Sequence, residues 1–412
     1  MKFDSIIIGG GLSGLVAGIS LQSKGRRTLI VSAGQSALHF FSGSFELYNT
    51  DKSYQEALKG LDESHPYSKM GIERVLELAS GVPAFFSQAG IKLLGSADCN
   101  HFRLTPMGVR KPAWLTLDGY VKIPSDGKFP YKNVTIANLE GFLDFHTEFI
   151  AAGLAEQGVN ARICSVSLPE LDYLRTNPTE MRSTNIARAV KGDVLGALAQ
   201  KLSAAASGTE AILMPAVLGL ESPQAAESLK ARCDLPVEFV ATLPPSVPGI
   251  RTQLMLRSYY QKIGGTYMLG DTVEEGLFED DILKGIRTVN HADTVFEADS
   301  FVLASGSFFS RGVMASQEGV YEPIFGLDVD APSDRGQWYQ EKMFEAQPYM
   351  KFGVHTDKDF KVSVSGRTIG NVYAAGSVLS GFNAVKEGCG AGVSILTALD
   401  VAEKITRLKF RK

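Results

Sequence analysis

The chain has 412 residues, 44% of them hydrophobic and 21% charged, with a formal net charge of -4. That length supports one large domain or two to three ordinary ones with sizeable buried cores. Lys and Arg are scattered, which excludes a basic face for sequence-independent binding of nucleic acid.

The opening reads as a βαβ unit: a strand from Phe3 to Ile8, a glycine turn, a helix from Leu12 to Ser23 with Gly25 as its stop, and a strand from Thr28 to Val31. Ile6-Ile7-Ile8 is only a strand's length and lacks a basic leader, so it is not a secretory signal. No run approaches the ~20 apolar residues of a spanning helix. A Pro/Gly-rich surface loop is expected between about Asp118 and Pro130.

Apolar strands at Val134 to Ile136, Ala211 to Met214 and Val237 to Leu243 alternate with helices at Gly141 to Gln157 and Val194 to Ala206. A helix from Leu254 to Ile263, stopped by Gly264-Gly265, then precedes a strand at Thr266 to Leu269. Shorter alternating segments, Leu283 to Val289 and Asp293 to Ala298, lead into a buried strand, Phe301 to Ala304, closed by Ser305-Gly306-Ser307. A last strand, Asn371 to Ala375, ends at Gly376, and Gly388 to Gly392 opens a helix running through Ile405.

An N-terminal βαβ unit cannot cover both faces of a parallel sheet, so the two ends of the chain require each other. The expected fold is α/β: a Rossmann-like FAD/NAD(P)-binding domain from residues 1–45 plus 249–412, mostly a parallel sheet with a small antiparallel meander. Residues 46–248 form an inserted α+β cap or substrate domain.

Gly9-Gly10-Gly11-Leu12-Ser13-Gly14 matches GxGxxG directly after a strand and at the start of a helix. Gly9 permits the tight turn, Gly11 the approach of a phosphate, and Gly14 the close packing of helix on strand; the free N–H groups of the helix start face the anion. The acidic residue expected ~20 residues on, which grips an adenosine ribose, is replaced by Ser32. A neutral hydroxyl contributes about 1 kcal/mol where a charged acceptor contributes roughly 1.5–3. Both FAD, held with less help, and FMN, whose single phosphate still suits the helix N-terminus, stay open at this point; NAD would suffer from the same missing carboxylate. A glycine-rich turn without ligand is the bland alternative.

Cys99, Cys164, Cys233 and Cys389 stand far apart with no CxxC or Cys/His grouping. No iron-sulfur or zinc site is legible, no metal is expected, and reduced cytosolic thiols are the plain reading.

Leu303 to Ser307, Ala374-Ala375-Gly376-Ser377 and Gly388-Cys389-Gly390-Ala391-Gly392 together resemble the two-part flavin domain of glutathione-reductase-like and fumarate-reductase-like flavoproteins. The resemblance implies flavin contacts from Ser305, Gly306, Gly376, Ser377, Gly390 and Gly392. It also implies a last helix whose N-terminus meets the negative charge of the reduced pyrimidine. Ser377 stands where that family carries an acidic ribityl anchor.

Over nearly its whole length the chain is similar to the B-subunit family of anaerobic glycerol-3-phosphate dehydrogenases. The runs that carry this include Gly34-Gln35-Ser36-Ala37-Leu38-His39-Phe40, Asn185-Ile186-Ala187-Arg188, Ile212-Leu213-Met214-Pro215-Ala216 and Leu243-Pro244-Pro245-Ser246-Val247. The resemblance implies an FMN-associated polypeptide paired with a homologous, FAD-bearing partner. A third, iron-sulfur polypeptide is implied as the membrane anchor and the tie to menaquinone, which puts this chain in the cytoplasm, peripheral on the inner face of the membrane through its partners.

Oxidising glycerol 3-phosphate needs an anion clamp, a base and a well-placed flavin. His39, in a Ser-rich segment after the second strand, suits the base; its alternative is a structural histidine. Arg182 and Arg188 bracket Asn185 and suit a phosphate by guanidinium geometry; a solvated face or an ion pair with Glu180 is the rival. Arg251 follows a Pro-rich stretch at the return from the inserted domain, and its alternative is an exposed arginine on a hinge linker. His291 and His355 read as structural, and Cys389 as a small packing residue. Beside catalysis, the chain's role is either electron relay or support of a partner; a soluble NAD-linked enzyme is the third reading.

Overall fold

The computed structural model describes residues 1–177 and 179–407. The chain divides into two compact units, one of Met1–Ala37, Glu46–Phe85 and everything from Leu256, the other of Leu38–Phe45 and Phe86–Met255.

The first unit is built on an eight-stranded sheet. Lys2–Ile8 is flanked in parallel by Thr28–Ser32 and Phe296–Leu303, and Thr266–Leu269 and Arg367–Ala374 extend the parallel run on either side. Ile6 pairs with Leu29 and Phe301, and Phe301 pairs in turn with Val372. All four are fully buried, as expected of a parallel sheet covered on both faces. Ile282–Thr288, Val273–Glu279 and Lys361–Val364 add the antiparallel part.

The helix Leu12–Ser23 is apolar on nearly every side, with Leu15, Val16, Ala17, Ile19 and Leu21 buried, the pattern of a helix sunk in a core. The last helix, Gly390–Arg407, instead buries a stripe of Val393, Leu396, Val401 and Ile405. Its buried Asp400 is matched by Arg74 at 3.2 Å and Lys404 at 3.0 Å.

The second unit holds a four-stranded all-parallel sheet in the order Asn160–Val166, Asn133–Leu139, Ala211–Pro215, Val237–Val240. Thr147–Ala155, Val194–Ala205 and Gln224–Arg232 are its principal helices. Two three-stranded antiparallel sheets complete it, one joining Ser44–Phe45, Leu115–Leu117 and Leu93–Gly95, the other Arg110–Ala113, His101–Leu104 and Lys122–Ile123.

This division corrects the expected insertion of 46–248. Residues 46–85 pack with the first unit because their polar groups are bonded there: the Asn49 amide donates to the Glu387 carbonyl at 2.7 Å, the Gly392 amide to the Glu46 carbonyl at 2.9 Å, and Lys69 to the Thr356 carbonyl at 2.8 Å. Residues 38–45 go the other way, since Ser44–Phe45 pairs with the Leu115–Leu117 strand. The helix expected from Leu254 begins at Val247, because a proline in the first turn loses no intrahelical bond. Arg251 therefore sits on a helix and not on a linker. The helix expected from Gly141 begins only at Thr147, since Gly141 takes a φ of +84° and turns the chain.

Candidate functional site

Three glycine turns of the first unit converge on one cradle. Gly9 has a φ of +116°, and a methyl group there would lie 2.2 Å from the Ala304 carbonyl oxygen, so the first turn touches the end of the Phe296–Leu303 strand. Gly376, at φ +82°, leaves room only for the Ser13 hydroxyl, which a methyl would meet at 2.0 Å; the same methyl would lie 3.7 Å from Ser394 Cα in the last helix. Gly306, at φ +89°, stands against Ser310, with the Ser377 hydroxyl 3.7 Å from the corresponding position. The first helix start, the Gly376 turn and the first turn of the last helix thus lie within a few ångströms of one another.

The cradle suits an anion. No side chain caps the helix at Gly11, and no acidic residue lies in its first turn, so its leading N–H groups are offered outward with the positive end of the helix dipole. Gly11 is open, with only the Ser36 Cβ near its side-chain position, at 3.7 Å. Ser305 Oγ, beside the Gly9 turn, is buried without a hydrogen-bond partner among the described residues. A buried hydroxyl left unmade costs about 1–3 kcal/mol, which a bound polar group would recover. These residues fit a phosphate-bearing flavin. Gly10 packs against Tyr267 and Ser32, and buried Ser32 sits at the end of the second strand with its hydroxyl 3.3 Å from the Gly34 carbonyl.

At the start of the last helix the Gly392 amide is already committed to Glu46, and Tyr67 fills the space a side chain at 392 would need. Gly390 and Leu12 complete the expected cofactor set around these two helix starts.

Sequence reasoning missed a polar group beside this helix. His65, Glu387 and Cys389, more than three hundred residues apart at the extremes, have ligand atoms within 4.8 Å of one another. His65 is buried and its Nδ1 accepts the Tyr67 amide at 3.0 Å, which fixes the proton on Nε2. That N–H lies 3.4 Å from Glu387 Oε2, an electrostatic contact short of a full hydrogen bond. A metal at Nε2 would need the opposite tautomer, so the trio serves as a histidine–carboxylate pair. Burial pushes the Glu387 carboxyl up, yet His65, the Asn383 amide and Lys351 outweigh it and hold it below its usual range. Glu387 lines a cleft of about 350 Å³ with Tyr48, Asn49, Lys351, Asn383 and Lys386. Cys389 is fully buried, and burial pushes its thiol far up.

The four residues expected to carry chemistry lie in the second unit. His39 is half-buried in the short helical turn Ala37–Phe40, and burial lowers its pKa. Arg182 is exposed and faces Asp144 at 3.4 Å, while Glu180 is held by Asn185 and not by an arginine. Exposed Arg188 donates to Asn185 at 3.0 Å. Arg251 turns inward, its Nη1 bonded to the Leu218 and Gly219 carbonyls at 2.8 and 2.6 Å. The Ser246 amide donates to the His39 carbonyl at 2.8 Å and the Ser183 hydroxyl to the Pro245 carbonyl at 2.5 Å, so the segments that carry His39 and Arg182 meet at the Pro245–Ser246 turn.

Fold and cradle define a flavoprotein. The family model described as FAD binding domain matches residues 4–393. The chain is 43% identical to the B subunit of anaerobic glycerol-3-phosphate dehydrogenase from Pectobacterium carotovorum over 99% of both chains, and 43% identical to its counterpart in Yersinia enterocolitica over 98% of both. It belongs to the B-subunit family of anaerobic glycerol-3-phosphate dehydrogenases. Among solved structures it is similar to 3-ketosteroid delta1-dehydrogenase from Sterolibacterium denitrificans, at TM-score 0.46 and 11% identity over 98% of this chain and 99% of that one. The expected order of cofactors, FMN before FAD, finds no support in these findings, because the matching model describes FAD binding. No helix among the described residues is long and apolar enough to cross a membrane.

Proposed function

We propose that the chain holds FAD in the first unit and takes part in oxidising glycerol 3-phosphate to dihydroxyacetone phosphate, within a multi-chain complex that passes electrons to a quinone such as menaquinone. The relatives' name supports the reaction and the existence of partner chains. The partners we assign are a second, FAD-bearing polypeptide and an iron-sulfur, membrane-anchoring polypeptide, which would hold the chain on the inner face of the cytoplasmic membrane. The observation that carries the reading is the convergence of the Gly9–Gly14 turn, the Gly376 turn and the start of the last helix.

A bound flavin supplies the acceptor for the hydride of the alcohol. Around it, Leu12, Ser13 and Gly14 offer amides to a phosphate, Ser305 offers its unpartnered hydroxyl, and the last helix presents its positive end. Lys351, which pairs with Glu387 at 3.6 Å and Asp62 at 3.7 Å, and Lys386 give the Glu387 cleft the cations that a phosphate ester needs. Glu387 stays ionised and orients the substrate hydroxyls.

The test is direct. The purified full chain is expected to be yellow, and its released cofactor to be identified as FAD by chromatography. Glycerol 3-phosphate is expected to bleach it anaerobically, without bleaching when Lys351 and Lys386 are both changed to Gln. A colourless chain under all purification conditions overturns the flavin reading. The exposed, already bonded state of Arg182 and Arg188 favours a second reading, electron relay without substrate turnover; it predicts a yellow chain that dithionite bleaches and glycerol 3-phosphate does not.

A further inference from the structure

The second unit contains a cleft of about 270 Å³ that the flavin chemistry does not use. Its walls are mixed, Ile91, Leu117, Leu218, Phe239 and Met255 forming the apolar part and five charged side chains standing among them. Arg251 lines it from the helix Val247–Lys262. Only Nη1 of its guanidinium is bonded, to two main-chain carbonyls, and neither Nε nor Nη2 has a partner among the described residues. Among the described residues no carboxylate is within ion-pair distance, although Glu227 stands on the same wall. Carbonyl dipoles do not neutralise a cation, and a guanidinium drawn out of water without a counter-charge is costly.

The cleft also holds Tyr120, which is 7% exposed. Its phenol oxygen is shut off from solvent and has no hydrogen-bond partner among the described residues. Its ring packs over Gly43, where the φ of +84° and the missing side chain make the room: a methyl would lie 2.5 Å from the ring. Lys92 at the rim is matched by Asp118 at 2.8 Å. Counting Lys92, Lys230 and Arg251 against Asp118 and Glu227, the lining is left with one positive charge.

A planar cation with free parallel N–H groups and a lone phenol beside apolar side chains has a definite chemical complement, a carboxylate carried on a small apolar body. Glycerol 3-phosphate, polar throughout, would waste those side chains. We propose that this cleft is a binding site for a small apolar carboxylate, with Arg251 and Tyr120 as its polar contacts. The inference does not depend on the flavin reading.

Titration calorimetry on the full chain tests it, with hexanoate as probe and hexylamine and inorganic phosphate as controls. Hexanoate is expected to bind saturably and the two controls not to. Arg251→Gln is expected to weaken hexanoate by about tenfold or more, the loss of a charge-assisted contact, and Tyr120→Phe by about fivefold, that of a neutral one. Tyr120→Phe also keeps the test alive if Arg251→Gln does not fold. Absence of saturable hexanoate binding, unchanged affinity in both variants, or phosphate binding as tightly as hexanoate would overturn the proposal.

Discussion

A methyl group on Gly14 would lie 1.8 Å from the Gly9 carbonyl oxygen. Backbone cannot yield as a flexible side chain does, so Gly14→Ala must push the first helix off its strand. Overpacking of this kind costs roughly 1–3 kcal/mol. The variant is expected to fold with a lower melting temperature and to lose most of its visible absorbance, measured as flavin per chain. Asp271 gives a second residue-scale expectation. Burial pushes its carboxyl up, but the Thr288 hydroxyl, which stands near without a full hydrogen bond, the Asn290 amide and His291 bring it down to about 2. Against an unfolded value of about 3.9, a depressed folded pKa adds about 2–3 kcal/mol of stability. That contribution is complete above about pH 4 and fades as the pH falls through about 2. Urea midpoints measured down this range should fall more steeply for the wild type than for Asp271→Asn, which starts lower and lacks the carboxylate.

At the scale of elements, the last helix does more than cover the sheet. Thr397, fully buried, accepts the Gly376 amide at 2.9 Å and donates to the Val393 carbonyl at 2.6 Å. One hydroxyl therefore ties the helix to the turn that faces Ser13. Thr397→Val keeps the shape and orphans the Gly376 amide, at about 1–3 kcal/mol. Equilibrium unfolding should show that loss, and flavin release should quicken as the Gly376 turn loosens. Strand cores and the first helix were legible because apolar periodicity dictates them: Ala211 to Met214, Val134 to Ile136 and the opening βαβ unit all lie inside observed elements. The strand Asn160–Val166 was not, since as a sheet edge it buries only Val166 and carries little apolar signal.

At the scale of the whole molecule, the chain enters the second unit twice, and the short first excursion, residues 38–45, matters out of proportion to its length. Phe45 is fully buried, with Phe41 at 4.6 Å and Phe86 at 5.4 Å between ring centroids. Burying an aromatic side chain of this size contributes roughly 1.5–3 kcal/mol. A fragment of residues 86–255 lacks that ring and the strand that pairs with Leu115–Leu117. It is expected to show no cooperative thermal transition and to bind a hydrophobic dye, whereas a chain with 38–45 fused ahead of 86–255 by a flexible linker should melt cooperatively.

The sequence by itself determined what is local. The glycine turn between the first strand and the first helix supplies the amides, the dipole and the missing side chains of an anion cradle within six residues. Only the tertiary structure decided the rest. Which stretches joined which unit depended on bonds such as Asn49 to Glu387. The meeting of His65 with Glu387, and of Arg251 with Tyr120, joined residues whose separation along the chain carries no periodic signal. Solvent exclusion gives those pairs their meaning, and it exists only once the chain has closed around them.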